Sequence, residues 1–385
     1  MKILHVVPGI EAATGGPGRI AASLCNSITQ MGFEVDIATT KDPLQRYELI
    51  DTDAGKSNLL FFERWQHETY AFSRPLKNWL TTNIKNYDVV HIHSVFNYPT
   101  YIAAELAIKN KVPYVIAPHG MLEPWAFAYR AWKKRFFYDF AVKKALKNAQ
   151  AIHATSSPET NNIKSLGVHR NLVFIPNGVK SEEFDSLPSR EIFYQQFPQL
   201  RDKKLIVFLA RIDPKKGLDL LASAFTRVKQ LFPNSHLVII GSTTTSNTQY
   251  LDSVKQYFAR ANCLDNITFT GMLTGEIKLS ALAAASIYVS PSYSEGFSVS
   301  VLEGMAAGLP CVITTGCNFP EAENAQAVRV VNINADDIAN GLIWCLQHPE
   351  EAKKLGDRGR KFILDNYTWH RLAEKMGKVY SQLIK

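Results

Sequence analysis

Two spacings of apolar residues alternate along this chain. Short runs that are apolar almost throughout, at residues 2–8, 33–39, 89–93, 114–117, 151–155 and 173–176, read as strands buried on both faces of a parallel sheet. Between them lie longer segments of helical periodicity. The first, 19–31, places Ile20, Leu24 and Ile28 on one face and stops at Gly32. This order, strand, Gly-rich loop, helix, strand, opens a doubly wound sheet. Residues 186–204 are polar and contain prolines, and read as a linker. The pattern then restarts, with strands at 205–210, 236–241, 267–270, 285–290, 310–314 and 328–331 and helices at 218–232 and 250–261. The expectation is an α/β protein of two Rossmann-like doubly wound domains, 1–185 and 186–366. A ligand cleft is expected at the carboxyl edges of their strands. A helical tail, 336–385, is broken by Pro349 and near Asn366, and its last helix could return to either domain.

Composition narrows the partners. Of 385 residues 46% are apolar and 20% charged, which favours large cores over disorder. The net charge of +8 and pI of about 9.1 favour an anionic partner without choosing among a nucleotide, a phospholipid surface and a nucleic acid. The five cysteines form no Cys-x-x-Cys, so neither a disulfide framework nor a zinc ribbon is expected, and a reducing cytoplasm fits. The first residues read as a strand rather than a secretion signal, and no run approaches the 18 apolar residues of a membrane span.

Residues 290–310 concentrate the candidate chemistry. A strand feeds a polar loop carrying Glu295, and a helix follows from Val299 with Glu303 in its first two turns. The amides of Gly296, Phe297 and Ser298 are placed at the helix start, where a phosphate is favoured. Arg211 and Lys216 follow the first strand of the second domain; a planar fork and a point charge there suit a diphosphate, although a basic turn alone reads equally as solvated. His119 follows a strand in Pro118-His119-Gly120-Met121 and could donate a hydrogen bond to a sugar or move a proton. His91 and His93 share one face of a strand and form a candidate metal pair with no further ligand at a recognisable spacing. Asp51 and Asp53 have the spacing of a metal-dependent sugar transferase but lack flanking strands, so chance explains them. Gly16-Pro17-Gly18-Arg19-Ile20-Ala21 matches G-x-G-x-x-G/A with Asp36 downstream, the basis of a rival NAD(P)-dependent oxidoreductase. From Tyr129 to Lys147, Arg130, Lys133, Lys134 and Arg135 interleave with aromatic residues. This is either a membrane-surface face or a solvated face of a packed helix, and a non-catalytic anion- or membrane-binding protein is the third reading.

Together these pieces resemble family 4 of the retaining nucleotide-sugar glycosyltransferases, over nearly the whole chain. The markers occur in order: Gly15-Gly16-Pro17-Gly18-Arg19, Pro118-His119-Gly120-Met121, Pro176-Asn177-Gly178-Val179, Arg211 with Lys216-Gly217, and Glu295-Gly296-Phe297 through Glu303. The resemblance implies the GT-B architecture, with the C-terminal helix, about 367–385, crossing back to the N-terminal domain. It also implies a retaining, metal-independent hexosyltransferase with no cofactor, its co-substrate being a nucleotide diphosphate sugar and a UDP- or GDP-sugar expected. By position, Arg211 and Lys216 would hold the diphosphate, Glu303 the ribose, Glu295 the transferred sugar and Gly16 the distal phosphate, with His119 beside the sugar. Base recognition would fall to backbone groups around Gly271 and Met272. Lys180, Ser298 and Gly304 stand where the family often has Asp, Pro and Ala. The stretch Pro118 to Trp125 resembles members that build bacterial surface polysaccharides. The expected partners are therefore the donor, a sugar or lipid-linked sugar acceptor and the inner face of an anionic membrane, with no nucleic acid, in a cytoplasmic location.

Overall fold

The computed structural model describes residues 1–10, 16–42, 57–65, 70–124, 135–167, 171–243 and 248–384. Two compact units result, Met1–Asn177 with Trp369–Lys385, and Gly178–Thr368.

The first unit is built on β1 (Lys2–Val7), β2 (Glu34–Lys41), β3 (Asn58–Glu63), β4 (Val89–His93), β5 (Tyr114–Ala117), β6 (Ala151–Ala154) and β7 (Leu172–Phe174), in the order β3-β2-β1-β4-β5-β6-β7. Every ladder is parallel. Side chains alternate between the two faces, so Leu4, Val6, Val90 and Ile92 join one core with the Arg74–Asn83 and Tyr98–Asn110 helices. Ser73 and Asn97 cap these helices by accepting hydrogen bonds from the Leu76 and Thr100 amides, and prolines in the first turn fit the missing donors. The opposite face carries His5, His91 and His93. It meets the last helix, Trp369–Leu383, which packs beside the Gly16–Gln30 helix. At Gly377 an added Cβ would already touch the Phe33 ring at 3.4 Å, so glycine suits this close passage. The last helix thus belongs to the first unit.

The second unit holds β8 (Lys204–Leu209), β9 (Ser235–Ile240), β10 (Ile267–Gly271), β11 (Ile287–Ser290), β12 (Cys311–Thr314) and β13 (Arg329–Val331), all parallel, in the order β10-β9-β8-β11-β12-β13. In both sheets the winding reverses beside the first strand, between β1 and β4 and between β8 and β11. A doubly wound sheet binds ligands outside the carboxyl ends of its strands at such a switch point.

Two elements differ from the sequence reading. β3 was not anticipated; it is an edge strand whose apolar residues are half-buried. Residues 186–204 are not a linker. They include the Glu191–Gln196 helix, whose Phe193 and Tyr194 enter the second unit's core with Leu200, and the Phe193 amide donates to Ser280 Oγ at 2.9 Å. Residues 178–185 pack there too, through buried Phe184. All five cysteines are free and buried. Among the described residues no helix is long and apolar enough to cross a membrane.

Candidate functional site

At the switch point of the second sheet, β8 and β11 are neighbours, so the loops after them leave the same edge side by side. The loop after β8 contains a 3-10 turn, Pro214–Lys216, begun by Asp213 Oδ1 accepting from the Lys215 amide at 3.1 Å. It ends at Gly217, with φ 69°, where a Cβ would lie 2.1 Å from the Pro291 carbonyl oxygen. Glycine lets the two loops touch there, and the Tyr293 amide donates to the Lys215 carbonyl at 2.8 Å. This contact delivers Lys216 Nζ onto Glu295 Oε1 as a buried ion pair. Ser292 Oγ donates to the same oxygen at 2.8 Å. The Glu295 backbone is held from the Gly316 carbonyl at 2.8 Å and by Asn318 Nδ2 at 2.6 Å. Burial would raise the Glu295 pKa, but the Lys216 and Lys215 charges and these hydrogen bonds outweigh it and hold it below the usual value. Arg211 stands half-buried just after β8 and makes no hydrogen bond or ion pair among the described residues.

Sequence reasoning treated Lys216 and Glu295 as separate ligand contacts; the structure joins them. It also gives Glu303 a partner that was missed. Lys278 Nζ, from the Gly275–Ala284 helix, lies 2.8 Å from Glu303 Oε1, with both side chains largely covered. The phosphate-ready amides move as well. The helix spans Val299–Ala306 with Ser298 at its N-cap, so its free donors are Ser298, Val299, Ser300 and Val301, and of the expected amides only Gly296 and Phe297 lie outside the first turn. Phe297 instead packs its ring in the core, 4.9 Å from Phe319. Ser298 occupies the cap position without capping and meets Ser300 Oγ at 3.1 Å. Gly304 has a local cause: a Cβ there would come within 2.6 Å of the Tyr288 ring. Gly271 closes β10 with φ 73° and accepts from the Gly241 amide at 2.8 Å, and Met272 beside it is exposed.

In the first unit Gly16 is the first residue of its helix, so its amide has no partner within the helix. Gly18 is the sterically required glycine, because a Cβ there would lie 2.6 Å from the Gly9 carbonyl oxygen. Asp36 is not a ribose ligand. It is the third residue of β2, away from the carboxyl edge, and its carboxylate accepts from Tyr87 Oη at 2.5 Å and Asn58 Nδ2 at 3.0 Å. The dinucleotide reading loses its acid. Asp51, Asp53, Arg130, Lys133 and Lys134 lie outside the described residues. Arg135 is exposed, as are Phe136 and Phe140, whose rings stack with centroids 6.3 Å apart.

His119 follows β5 in a left-handed turn, φ 55°, with Gly120 at φ 74°. That conformation is unfavourable for a residue with a Cβ and must be held from outside. Buried Glu159 holds it: one carboxylate oxygen accepts from the Gly120 amide at 2.5 Å, the other from Thr155 N at 2.7 Å and Thr155 Oγ1 at 2.8 Å. His119 Nε2 lies 2.9 Å from His93 Nδ1, and His93 Nε2 lies 2.9 Å from His5 Nδ1. Nitrogens of His5, His91 and His93 fall within 4.8 Å of one another. Two imidazole nitrogens on tetrahedral zinc would be roughly 3.3 Å apart, so the 2.9 Å spacing of His5 and His93 is that of a hydrogen bond. The candidate metal pair is therefore part of a hydrogen-bonded histidine cluster.

The family model described as glycosyl transferases group 1 matches residues 189–362, and that of Glycosyltransferase Family 4 matches residues 14–183. The chain belongs to glycosyltransferase family 4. Its fold is GT-B: the solved structure of Anabaena HepE in complex with UDP and glucose matches with TM-score 0.82 and 16% identity over 100% of both chains. An uncharacterized glycosyltransferase of Methanocaldococcus jannaschii is 23% identical over 385 residues, 95% of this glycosyltransferase and 94% of its relative. The GDP-mannose-dependent alpha-(1-6)-phosphatidylinositol monomannoside mannosyltransferase of Mycobacterium tuberculosis is 24% identical over 221 residues, about half of each chain (55% and 56%).

Proposed function

We propose that this glycosyltransferase moves a hexose from a nucleotide diphosphate sugar, UDP- or GDP-linked, to an acceptor hydroxyl with retention at the anomeric carbon. The observation that carries the reading is the buried Lys216–Glu295 pair at a sheet switch point, beside an Arg211 that has no partner among the described residues. A protein does not bury such a pair cheaply, and here it stands where ligands bind. In this reading Arg211 and Lys216 meet the diphosphate, with Val299, Ser300 and Val301 offering amides at the helix start. Their fixed donors balance the charge that grows on the leaving group, so the reaction needs no metal ion. Glu295 takes hydroxyls of the transferred sugar, and Glu303 takes the ribose in exchange for Lys278. Backbone groups at Gly271 and Met272 meet the base, and the Gly16 amide the distal phosphate. The departing diphosphate accepts the acceptor's proton. A donor of this class is supported by the printed names of relatives, one GDP-mannose-dependent and one bound to UDP and glucose.

The acceptor class we propose is a surface polysaccharide, lipopolysaccharide or glycolipid intermediate, reached at the inner face of a membrane. The stacked, exposed Phe136 and Phe140 beside Arg135 support such a contact. Vesicles of anionic lipid should bind the wild type and lose a Phe136→Ser, Phe140→Ser variant.

The test of the donor is thermal stabilisation by UDP, GDP and ADP and their sugars, without and with EDTA. We expect a rise with one nucleotide and its sugars that EDTA leaves unchanged. Arg211→Ala should lower kcat about 10²–10³-fold, the order for one preorganised charge donor. A shift with NAD(P) alone, or unimpaired turnover by Arg211→Ala, would overturn the reading.

A further inference from the structure

The first unit contains an ordered line of polar groups that the family resemblance does not anticipate. His153 Nε2 lies 2.7 Å from the Ile175 carbonyl oxygen. A carbonyl only accepts, so this nitrogen carries the proton. In a neutral ring Nδ1 is then bare, and it faces His91 Nε2 at 3.4 Å, which must be the donor. His91 Nδ1 is therefore an acceptor, and Tyr380 Oη donates to it at 2.6 Å. The Tyr380 oxygen, its proton committed, accepts from His5 Nε2 at 3.4 Å. His5 Nδ1 then accepts from His93 Nε2 at 2.9 Å, and His93 Nδ1 from His119 Nε2 at 2.9 Å. Each step follows from the one before, and all five rings take the Nε2–H form. The last atom, His119 Nδ1, is buried and has no hydrogen-bond partner among the described residues.

Burial keeps the rings uncharged: the pKa of His5 and of His119 falls to about 3, that of His153 to about 4, and those of His91 and His93 well below 6.5. The rings also stack, His5 on His93 at 5.2 Å and His93 on His119 at 5.2 Å, which fixes their planes as well as their protons. The backbone of His119 is fixed independently by Glu159 through Gly120.

We propose that His119 meets the transferred sugar as an acceptor-only imidazole, its bare Nδ1 set by the line His93, His5, Tyr380, His91, His153 and the Ile175 carbonyl. The role at the sugar rests on the proposed glycosyl transfer; the direction of the line does not. Two consequences follow. The group facing Nδ1 must bring its own hydrogen, so it is a sugar hydroxyl and not a carboxylate or phosphate oxygen. The line also ends on a carbonyl, so a proton taken up at His119 Nδ1 has no way out through it. His5, His91, His93, His153 and Tyr380 are positioning residues.

The experiment is nitrogen-15 NMR of the whole enzyme with ring-labelled histidine, assigned by single substitutions, alone and with the UDP- or GDP-sugar that stabilises it. At neutral pH all five rings should be neutral Nε2–H tautomers, and Nδ1 of His119 should shift on sugar binding as an acceptor does. Tyr380→Phe keeps the packed ring and cuts the line. It should give mixed tautomers at His5, His93 and His119 and lower kcat about tenfold, the effect of roughly one hydrogen bond, with nucleotide affinity unchanged. An Nδ1–H tautomer or a cation at His93 or His119 would overturn the proposal. So would titration of His5, His91 and His93 by added zinc, or Tyr380→Phe with wild-type tautomers. If no nucleotide sugar binds, the tautomers of the free enzyme still decide the line, while the donor assignment falls separately.

Discussion

Behind the Trp369–Leu383 helix the first unit buries histidine rings that stay neutral and share hydrogen bonds. At the corresponding switch point the second unit buries charges, Lys216 on Glu295, and a second largely covered pair, Lys278 on Glu303, lies in the same unit. The strand order beside the first strand is the same in both sheets. A common fold therefore does not set how polar groups are satisfied; the side chains placed at the carboxyl edge do. Neutral hydrogen-bonded groups can fix a direction, as at His119. Charged pairs can be exchanged for a charged ligand, which is the property a diphosphate site needs.

Acid should break this comparison most strongly. The histidine pKa values lie below the unfolded value of 6.5, at about 3 for His5 and His119 and about 4 for His153. A depressed histidine stabilises the fold fully above 6.5 and loses that contribution as pH falls toward the folded value. At about pH 5.5 each such ring gives up about 1.4 kcal/mol, so the line together gives up several. His236, lowered to about 4, is the comparable case in the second unit. Between pH 7.5 and 5.5, hydrogen exchange followed by mass spectrometry should therefore open β1, β4 and β6 before β8 and β11. Simultaneous opening would remove the distinction between the units.

Removing one partner of the buried pair should come next. Lys216→Ala leaves Glu295 charged, buried and unpaired, a loss of about 3–5 kcal/mol. Lys216→Met with Glu295→Gln should recover most of the stability in urea unfolding while turnover stays lost. A Lys216→Ala loss below about 1 kcal/mol would mean that the pair is already solvated.

The strand pattern, the restart of the α/β order and the placing of Lys216 and Glu295 in loops that follow strands were legible in the sequence, because a parallel strand buried on both faces and a glycine-rich turn leave local marks. What escaped depends on contacts between distant elements. The Glu191–Gln196 helix is too short for periodicity to reveal, and its two buried aromatics look like part of a loop until Ser280 and the core are in place. Lys278 lies 25 residues from Glu303, on a helix whose sequence does not mark it as a partner. Gly304 departs from the family for a reason that lies in Tyr288, on a neighbouring strand. The direction of the histidine line needs a carbonyl at residue 175 and a hydroxyl at residue 380, and no spacing in the chain records either.

The smallest effect tests the carboxylates, where the units are opposites. Glu295 sits below the usual range beside Lys216, whereas Glu123 is pushed up to about 7, first by burial and then by the charge of Glu159, with an Asn162 hydrogen bond opposing. A raised carboxylate stabilises the fold fully below its unfolded value of 4.5 and loses that contribution as pH rises through about 7. Glu123→Gln removes the titration and keeps the shape. Measured by urea unfolding, the variant should match the wild type near pH 4.5 and exceed it by roughly 1–3 kcal/mol at pH 8. Equal stability at both values would mean that Glu123 ionises normally, and the contrast with Glu295 would then rest on Lys216 alone.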